Sequence, residues 1–105
     1  GRMKGISCRE VHDKIQVGEK PFLIDTRGPE EFEEMRLGIG ETLIPLGALR
    51  KRFKELPENK NREIICYCKI SLRGYEAALA LEGNGWKNVK VMEGGIMAWP
   101  YPREK

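Results

Sequence analysis

Short apolar runs alternate with segments of helical periodicity along most of the chain. The runs that predict strands are residues 3–6, 22–24, 42–44, 64–67 and 89–92. Apolar residues at helical spacing predict helices over residues 8–17, 29–35, 46–56, 74–81 and 96–99. Strands that alternate with helices usually form parallel sheets covered on both faces. The pattern therefore predicts an α/β fold with a largely parallel central sheet and helices on both faces.

Local signals mark several helix boundaries. Ser7 and Glu10 have the spacing of a capping box, which opens the first predicted helix. Pro29 suits the first turn of the second helix, which is short and acidic, and Pro57 stops the third. Residues 83–85 provide a glycine-rich end to the fourth helix.

Two of the predicted strands end in loops with reactive or charged side chains. Asp25, Thr26 and Arg27 follow the second strand, and Cys68 follows the fourth. In parallel sheets, ligands bind beyond the carboxyl ends of the strands. If these two strands are neighbours, both loops reach the same crevice, where we expect the functional site.

Cys68 lies between the end of a strand and the start of an alanine-rich helix. Such a turn can wrap several consecutive backbone N–H groups around the sulfur, and the N-terminus of the helix adds partial positive charge. Both effects favour the thiolate over the thiol. Cys68 is therefore a candidate nucleophile.

Length and composition limit the class of protein. At 105 residues we expect one domain over 1–105, with Gly1 and Arg2 set aside as a remnant of expression. The content of 40% hydrophobic and 33% charged residues predicts a soluble globular protein, and no apolar run is long enough to span a membrane. The net charge of +3 is mild and the basic residues are dispersed, apart from residues 50–52, so nucleic-acid binding is not expected.

The cysteine and histidine content bears on compartment and metal binding. Three cysteines, an odd number, and the lack of an N-terminal signal peptide favour a reducing, cytoplasmic setting. A single histidine and no Cys-x-x-Cys spacing leave no zinc site to predict. His12 is interpreted as a polar residue on a surface helix, Cys8 as a small first-turn residue and Cys66 as an inert core cysteine.

The order of these motifs resembles that of rhodanese domains, which are sulfurtransferases. The resemblance rests on a strand, Cys68, four residues, Arg73 and an alanine-rich helix, and it extends over residues 22–27, 31–32, 44–46, 85–89 and 93–99. The sequence Leu72-Arg73-Gly74-Tyr75 is closest to the rhodanese domains appended to flavin-dependent coenzyme A-disulfide or persulfide reductases. The chain has no Gly-rich dinucleotide-binding motif, so we expect either an excised C-terminal domain of such a flavoprotein or a stand-alone relative.

The resemblance implies that Cys68 carries sulfur as a persulfide between a small anionic donor and an acceptor. A thiolate in a ring of amides suits attack on thiosulfate, polysulfide or a persulfide, and a thiol or cyanide then removes the sulfur. The implied substrate pocket consists of Lys69, Ile70, Ser71, Leu72 and Arg73, supported by Asp25, Arg27 and Gly74. No cofactor is expected.

The two cationic residues of the pocket have alternative roles. Lys69 either offers positive charge to an anionic donor or is a surface lysine. Arg73 either contacts the anion or ties the loop to a carboxylate such as Asp25, and the tie is favoured because arginine suits bidentate pairing. Asp25 and Arg27 are expected to orient loops and balance charge rather than to transfer protons.

Three positions depart from the rhodanese pattern. Many members have Gly where this chain has Ser71, and Ser where it has Gly74. If position 71 needs a left-handed backbone, Ser costs about 1 kcal/mol or changes the shape of the loop. Residues 36–41 replace the usual motif with a slightly longer loop, so we expect a local rearrangement there.

Two other functions stay open. One is a non-catalytic regulatory or docking module that keeps the fold, and the other is a phosphatase-like or arsenate-reducing enzyme. Phosphatases that share this general fold carry a longer loop between Cys and Arg, which enlarges the cradle for phosphate. Four residues, 69–72, separate Cys68 from Arg73 here, so the pocket suits a sulfur atom or a sulfane group.

Overall fold

Parallel strands form the centre of the fold. They are β1 (Lys4–Ile6), β2 (Phe22–Asp25), β3 (Thr42–Leu43), β4 (Ile64–Tyr67) and β5 (Val89–Met92). The computed structural model, which describes residues 3–104, places them in the order β1-β5-β4-β2-β3, with every neighbouring pair parallel. The predicted strands and the parallel α/β architecture are confirmed. Gly1 and Arg2 lie outside the described residues.

Within residues 3–104, three α-helices cover the sheet: α1 (Cys8–Gln16), α2 (Pro29–Glu34) and α3 (Leu72–Gly83). The predicted capping box of α1 is confirmed, because the Glu10 N–H donates to Ser7 Oγ at 3.0 Å and the Ser7 N–H donates to Glu10 Oε1 at 3.2 Å. The start of α3 lies before the predicted position 74, so Arg73 belongs to its first turn. None of the helices within the described part of the chain has the length and apolarity needed to cross a membrane.

The segment predicted as one helix over residues 46–56 forms two 3₁₀ helices instead, Leu46–Lys51 and Phe53–Glu55. Leu46 and Leu49 are three residues apart, a spacing that fits the repeat of a 3₁₀ helix as well as one face of an α-helix. Leu49 is buried, and Leu46 packs against the same core cluster. The predicted helix near the C-terminus is likewise a 3₁₀ helix, Gly95–Ala98.

Side-chain alternation along β4 divides the core into two layers. Ile64 and Cys66 belong to the cluster that includes buried residues of α3, whereas Ile65 and Tyr67 belong to the cluster that includes Val11 of α1. All four strand residues are buried. Strand β4 is therefore covered on both faces, so a reactive side chain can be presented only at the end of the strand.

Residues 36–41, where a local rearrangement is expected, fold around an acidic side chain. The Glu41 carboxylate accepts hydrogen bonds from the N–H groups of Leu37, Gly38 and Ile39 at 3.0, 3.1 and 2.8 Å. Gly38 and Gly40 have φ values of 71° and 83°, which favour glycine. The segment is a turn closed by its own carboxylate, and its first residue, Arg36, pairs with Glu104 in an isolated antiparallel β-bridge.

Candidate active site

The two loops that carry reactive or charged side chains, residues 25–27 and 68–73, lie at one edge of the sheet. Strands β2 and β4 are neighbours, with Asp25 in register with Tyr67. Thr26 joins the strand ends, since its N–H and its hydroxyl each donate to the Tyr67 carbonyl at 2.9 Å. The predicted neighbourhood of the 25–27 and 68–73 loops is confirmed.

Cys68 directly follows β4 and lies at the base of residues 68–73, which we name the Cys68 loop. Only 3% of the Cys68 surface is exposed, whereas Lys69, Ile70 and Ser71 are exposed. Helix α3 begins at Leu72, so its N-terminal turn is part of the loop. The thiol therefore lies below a rim of exposed residues and beside the positive end of a helix.

The carbonyl groups of the Cys68 loop face the 3₁₀ helix near the C-terminus. The Ile96 N–H donates to the Cys68 carbonyl at 2.9 Å, and the Met97 N–H donates to the Lys69 carbonyl at 3.0 Å. A trans peptide directs its N–H opposite to its C=O, and residues 3–104 contain no cis peptide bond. The N–H groups of Lys69 and Ile70 therefore point away from that helix.

Arg73 is held by Glu31, a residue that the sequence did not predict as part of the site. Its Nη1 and Nη2 donate to Glu31 at 2.8 and 3.0 Å, and Glu31 Oε2 also accepts the Gly28 N–H at 2.9 Å. These hydrogen bonds lower the pKa of Glu31 to about 2, and the bonds from Arg73 have the largest effect. The pKa of Arg73 is raised mainly by Glu31, with a further contribution from the charge and hydrogen bonding of Cys68. Arg73 is thus fixed at the end of the Cys68 loop by its pairing with Glu31.

The favoured tie of Arg73 to a carboxylate is confirmed, but the carboxylate is Glu31 and not Asp25, which is engaged elsewhere. Its Oδ atoms accept hydrogen bonds from Arg27 Nε at 3.0 Å and Nη2 at 2.9 Å, and both side chains are buried. Arg27 also donates to the Met35 carbonyl at 2.7 Å. The pair joins the end of β2 to Met35 at the end of α2, the helix whose first turn contains Glu31. The sequence does contain a signal for Glu31: the residue lies three positions after Gly28, where a glutamate can cap the start of α2.

Two clefts flank the Cys68 loop. One of about 230 Å³ is lined by residues that include Lys69, Arg27 and Met97. The other, of about 390 Å³, is lined by residues that include Ser71 and Tyr75. Each cleft therefore borders an exposed residue of the Cys68 loop.

The two unusual positions of the loop fit the backbone in different ways. Ser71 has a φ of −157°, so it needs no left-handed conformation and carries no such penalty. Gly74 is buried, and a Cβ there would lie 3.0 Å from Cα of Tyr67. The missing side chain lets the first turn of α3 approach β4 closely.

The other cysteines lie away from the loop rim. Cys66 is fully buried, and burial raises the pKa of its thiol to about 12, in agreement with the predicted core cysteine. Cys8 is buried in the first turn of α1, and burial raises the pKa of its thiol. His12 on the same helix stacks on Tyr101 with ring centroids 3.7 Å apart, a contact that the sequence did not predict. Across residues 3–104, no group of three His, Cys, Asp or Glu is placed to hold a metal ion.

A parallel sheet, a cysteine at the end of its central strand and an arginine-closed loop define the class of protein. The model of the rhodanese-like domain matches residues 7–100, and the chain belongs to this family. A protein of Allochromatium vinosum named "Sulfurtransferase" is 30% identical, with 90% of this chain and 85% of that protein covered. At the level of the family, the relatives support a sulfurtransferase activity.

Larger proteins also contain this domain. The Mycobacterium tuberculosis protein named "Probable adenylyltransferase/sulfurtransferase MoeZ" is 33% identical over 90% of this chain, which spans 24% of its length. The crystal structure of reduced Bacillus anthracis CoADR-RHD has a TM-score of 0.81 and 31% identity, covering 92% of this chain and 16% of that one. A rhodanese-like domain protein from Staphylococcus aureus has a TM-score of 0.87 and 26% identity, with 97% of both chains covered. The predicted likeness to the reductase-linked domain is confirmed.

Proposed function

We propose that this chain moves sulfane sulfur from thiosulfate, polysulfide or a persulfide to a thiol acceptor or cyanide through a persulfide on Cys68. The observation that carries the proposal is the position of Cys68, at the end of a central strand and at the base of a loop that runs into the first turn of α3 at Arg73. The loop carbonyls that bond to residues 96 and 97 leave the N–H groups of Lys69 and Ile70 facing the other way. Membership of the rhodanese-like family adds independent support.

The proposed cycle has two displacement steps and needs no external oxidant. The Cys68 thiolate attacks the outer sulfur of thiosulfate, an S–S bond forms on Cys68, and sulfite leaves with the electron pair of the broken bond. An acceptor thiolate or cyanide then attacks the outer sulfur of the persulfide. The products are an acceptor persulfide or thiocyanate, together with the restored Cys68 thiolate. Backbone N–H groups stabilise anionic sulfur in both steps.

The burial of Cys68 favours this reaction over hydrolysis of a phosphate ester. With 3% of the Cys68 surface exposed, the site favours a slender donor that presents one reacting atom to the thiol. The outer sulfur of thiosulfate or of a persulfide has that form. Lys69, which is exposed at the rim, and Arg73 supply positive charge for an anionic donor. The free state of all three cysteines is compatible with the predicted cytoplasmic setting.

We further propose that a second domain or protein supplies or accepts the sulfur. The relatives MoeZ and CoADR-RHD carry a domain like this one within much longer chains, which include a named reductase or adenylyltransferase function. Large apolar side chains are exposed on or beside the Cys68 loop, with Ile70 61%, Leu72 68% and Met97 61% exposed. Exposed apolar groups of this size suit contact with a protein surface.

Intact-mass measurement after incubation with thiosulfate tests the proposal. We expect the mass to rise by one sulfur atom in the wild type and in Cys8→Ala, and to stay constant in Cys68→Ser. An unmodified wild type that still binds a reductase partner would support the docking module instead. Hydrolysis of an aryl phosphate that is lost in Cys68→Ser would support the phosphatase-like alternative.

A further inference from the structure

Gly95 leaves no room for a side chain where the Cys68 loop packs against residues 95–97. It is buried with a φ of +58°. A Cβ on Gly95 would lie 2.4 Å from the carbonyl oxygen of Cys68, 2.7 Å from that of Lys69 and 2.5 Å from that of Ile70. Real Cβ atoms essentially never make contacts this short, so three consecutive carbonyls pack against the bare Cα of one glycine.

The direction of these carbonyls fixes the direction of the N–H groups in the same peptides. Because each trans peptide holds C=O and N–H on opposite sides, the N–H groups of Lys69, Ile70 and Ser71 point away from Gly95. Hydrogen bonds from the 96 and 97 N–H groups secure two of the three carbonyls. The side of the loop away from Gly95 thus collects consecutive N–H donors, an arrangement that attracts anions.

We propose that Gly95 is a positioning residue for the Cys68 thiolate. Its missing side chain lets three loop carbonyls pack against the backbone at residue 95, and this packing turns the matching N–H groups toward the sulfur. The effect of Gly95 on the thiolate is present in the protein without substrate. The effect of Gly95 on turnover rests on the proposed sulfur transfer.

Gly95→Ala tests the proposal, and Gly18→Ala is its matched control. Gly18 also has a positive φ, +88°, but a Cβ there would have nothing within 4 Å. Gly95→Ala and Gly18→Ala therefore both strain a left-handed backbone, but only Gly95→Ala disturbs the Cys68 loop. Gly95→Asn is a second test variant, because asparagine tolerates positive φ better than alanine and still adds a Cβ.

The first measurement is the rate of Cys68 alkylation by iodoacetamide as a function of pH, in a background where Cys8 is Ala. We expect the profile of Gly95→Ala and Gly95→Asn to move to higher pH, with sulfur loading from thiosulfate slower by roughly tenfold or more. Gly18→Ala should match the wild type in both. Unchanged alkylation profiles in folded Gly95 variants would overturn the proposal. A wild type that alkylates normally but takes up no sulfur would instead overturn the proposed function.

A second measurement needs no Gly95 variant, so it decides the question even if those variants do not fold. In the wild type, the amide NMR signals of Lys69, Ile70 and Ser71 should shift with pH in step with the Cys68 alkylation profile. The same shifts should be absent in Cys68→Ser. Amide chemical shifts that do not change as Cys68 ionises would overturn the proposal.

Discussion

The Glu31 carboxylate holds the Arg73 guanidinium by two hydrogen bonds, 2.8 and 3.0 Å long, between residues 42 positions apart in the chain. The contact joins the first turn of α2 to the first turn of α3. Arg73 ends the Cys68 loop, and Cys68 adds to the rise in the pKa of Arg73 that Glu31 mainly causes, so a side chain on α2 helps to set the charge of the loop. Glu31 is therefore a support of the candidate site.

Replacing Glu31 with Gln should weaken this support. The amide keeps the size of the side chain and removes its charge, so Arg73 loses its bidentate ionic partner. We expect sulfur loading from thiosulfate to slow by roughly tenfold, because Arg73 is no longer held in place. The free energy of unfolding should fall by only about 0.5–1 kcal/mol, since both side chains are more than one-third exposed.

Glu33→Gln is the control for this change, because Glu33 is exposed on the same helix. It should leave the loading rate and the stability unchanged. Stopped-flow loading and urea unfolding measure the two effects. Equal loading rates in Glu31→Gln and the wild type would show that the contact with Arg73 is not needed for the reaction.

Acid should destabilise the protein partly through Glu31. Its pKa is lowered from the ordinary 4.5 to about 2, chiefly by Arg73, so in this range the unfolded chain binds more protons than the folded one. The stabilisation is fully present above pH 4.5 and is lost as the pH falls toward 2. The exposure of Glu31 limits the effect to about 1 kcal/mol or less. Unfolding measured across this pH window should show a steeper loss in the wild type than in Glu31→Gln.

Adding a methyl group at Gly74 should push α3 away from the sheet. The new Cβ would lie 3.0 Å from Tyr67 Cα and 3.3 Å from its N and C atoms, and backbone atoms cannot move aside as a side chain can. We expect Gly74→Ala to destabilise the protein by about 1–3 kcal/mol, despite the better helix propensity of alanine. Gly83→Ala, in the same helix and with nothing within 4 Å, should be neutral or stabilising by up to about 1 kcal/mol. Urea unfolding of Gly74→Ala and Gly83→Ala measures the difference. Equal stabilities of the two variants would show that a Cβ between α3 and β4 has no cost.

The three thiols should differ in reactivity. Burial raises the pKa of Cys66 to about 12, so its thiolate is scarce at neutral pH and shielded from reagent. We expect iodoacetamide to label Cys68 first in the folded protein, and all three cysteines in denaturant. Peptide mapping by mass spectrometry identifies the labelled residue. Labelling of Cys66 as fast as Cys68 under native conditions would contradict the proposed site.

The parts of the fold that depend on neighbours in sequence could be predicted. The apolar runs give the strands, and the capping box at Ser7 gives the start of α1. The position of Cys68 between strand and helix gives the candidate site, because parallel strands present their carboxyl ends at one edge. Helical spacing alone could not separate α from 3₁₀ geometry over residues 46–56, where packing against the sheet decides.

The parts that depend on distant contacts could not be predicted. Several carboxylates lie near the second strand in sequence, and only the placement of α2 selects Glu31 over Asp25 as the partner of Arg73. The contact between Gly95 and the loop carbonyls likewise appears only once β4 and β5 are brought near each other. The sequence signal was the pair Gly94-Gly95, which indicates a special backbone but not what lies against it.

The hydrogen bonds from residues 96 and 97 to the Cys68 loop also set an order of events during synthesis. A nascent chain that has just emerged through α3 contains the cysteine but lacks the backbone that holds its loop in shape. The thiol therefore gains its final surroundings only when residues 96 and 97 have also left the ribosome and can pack against the loop.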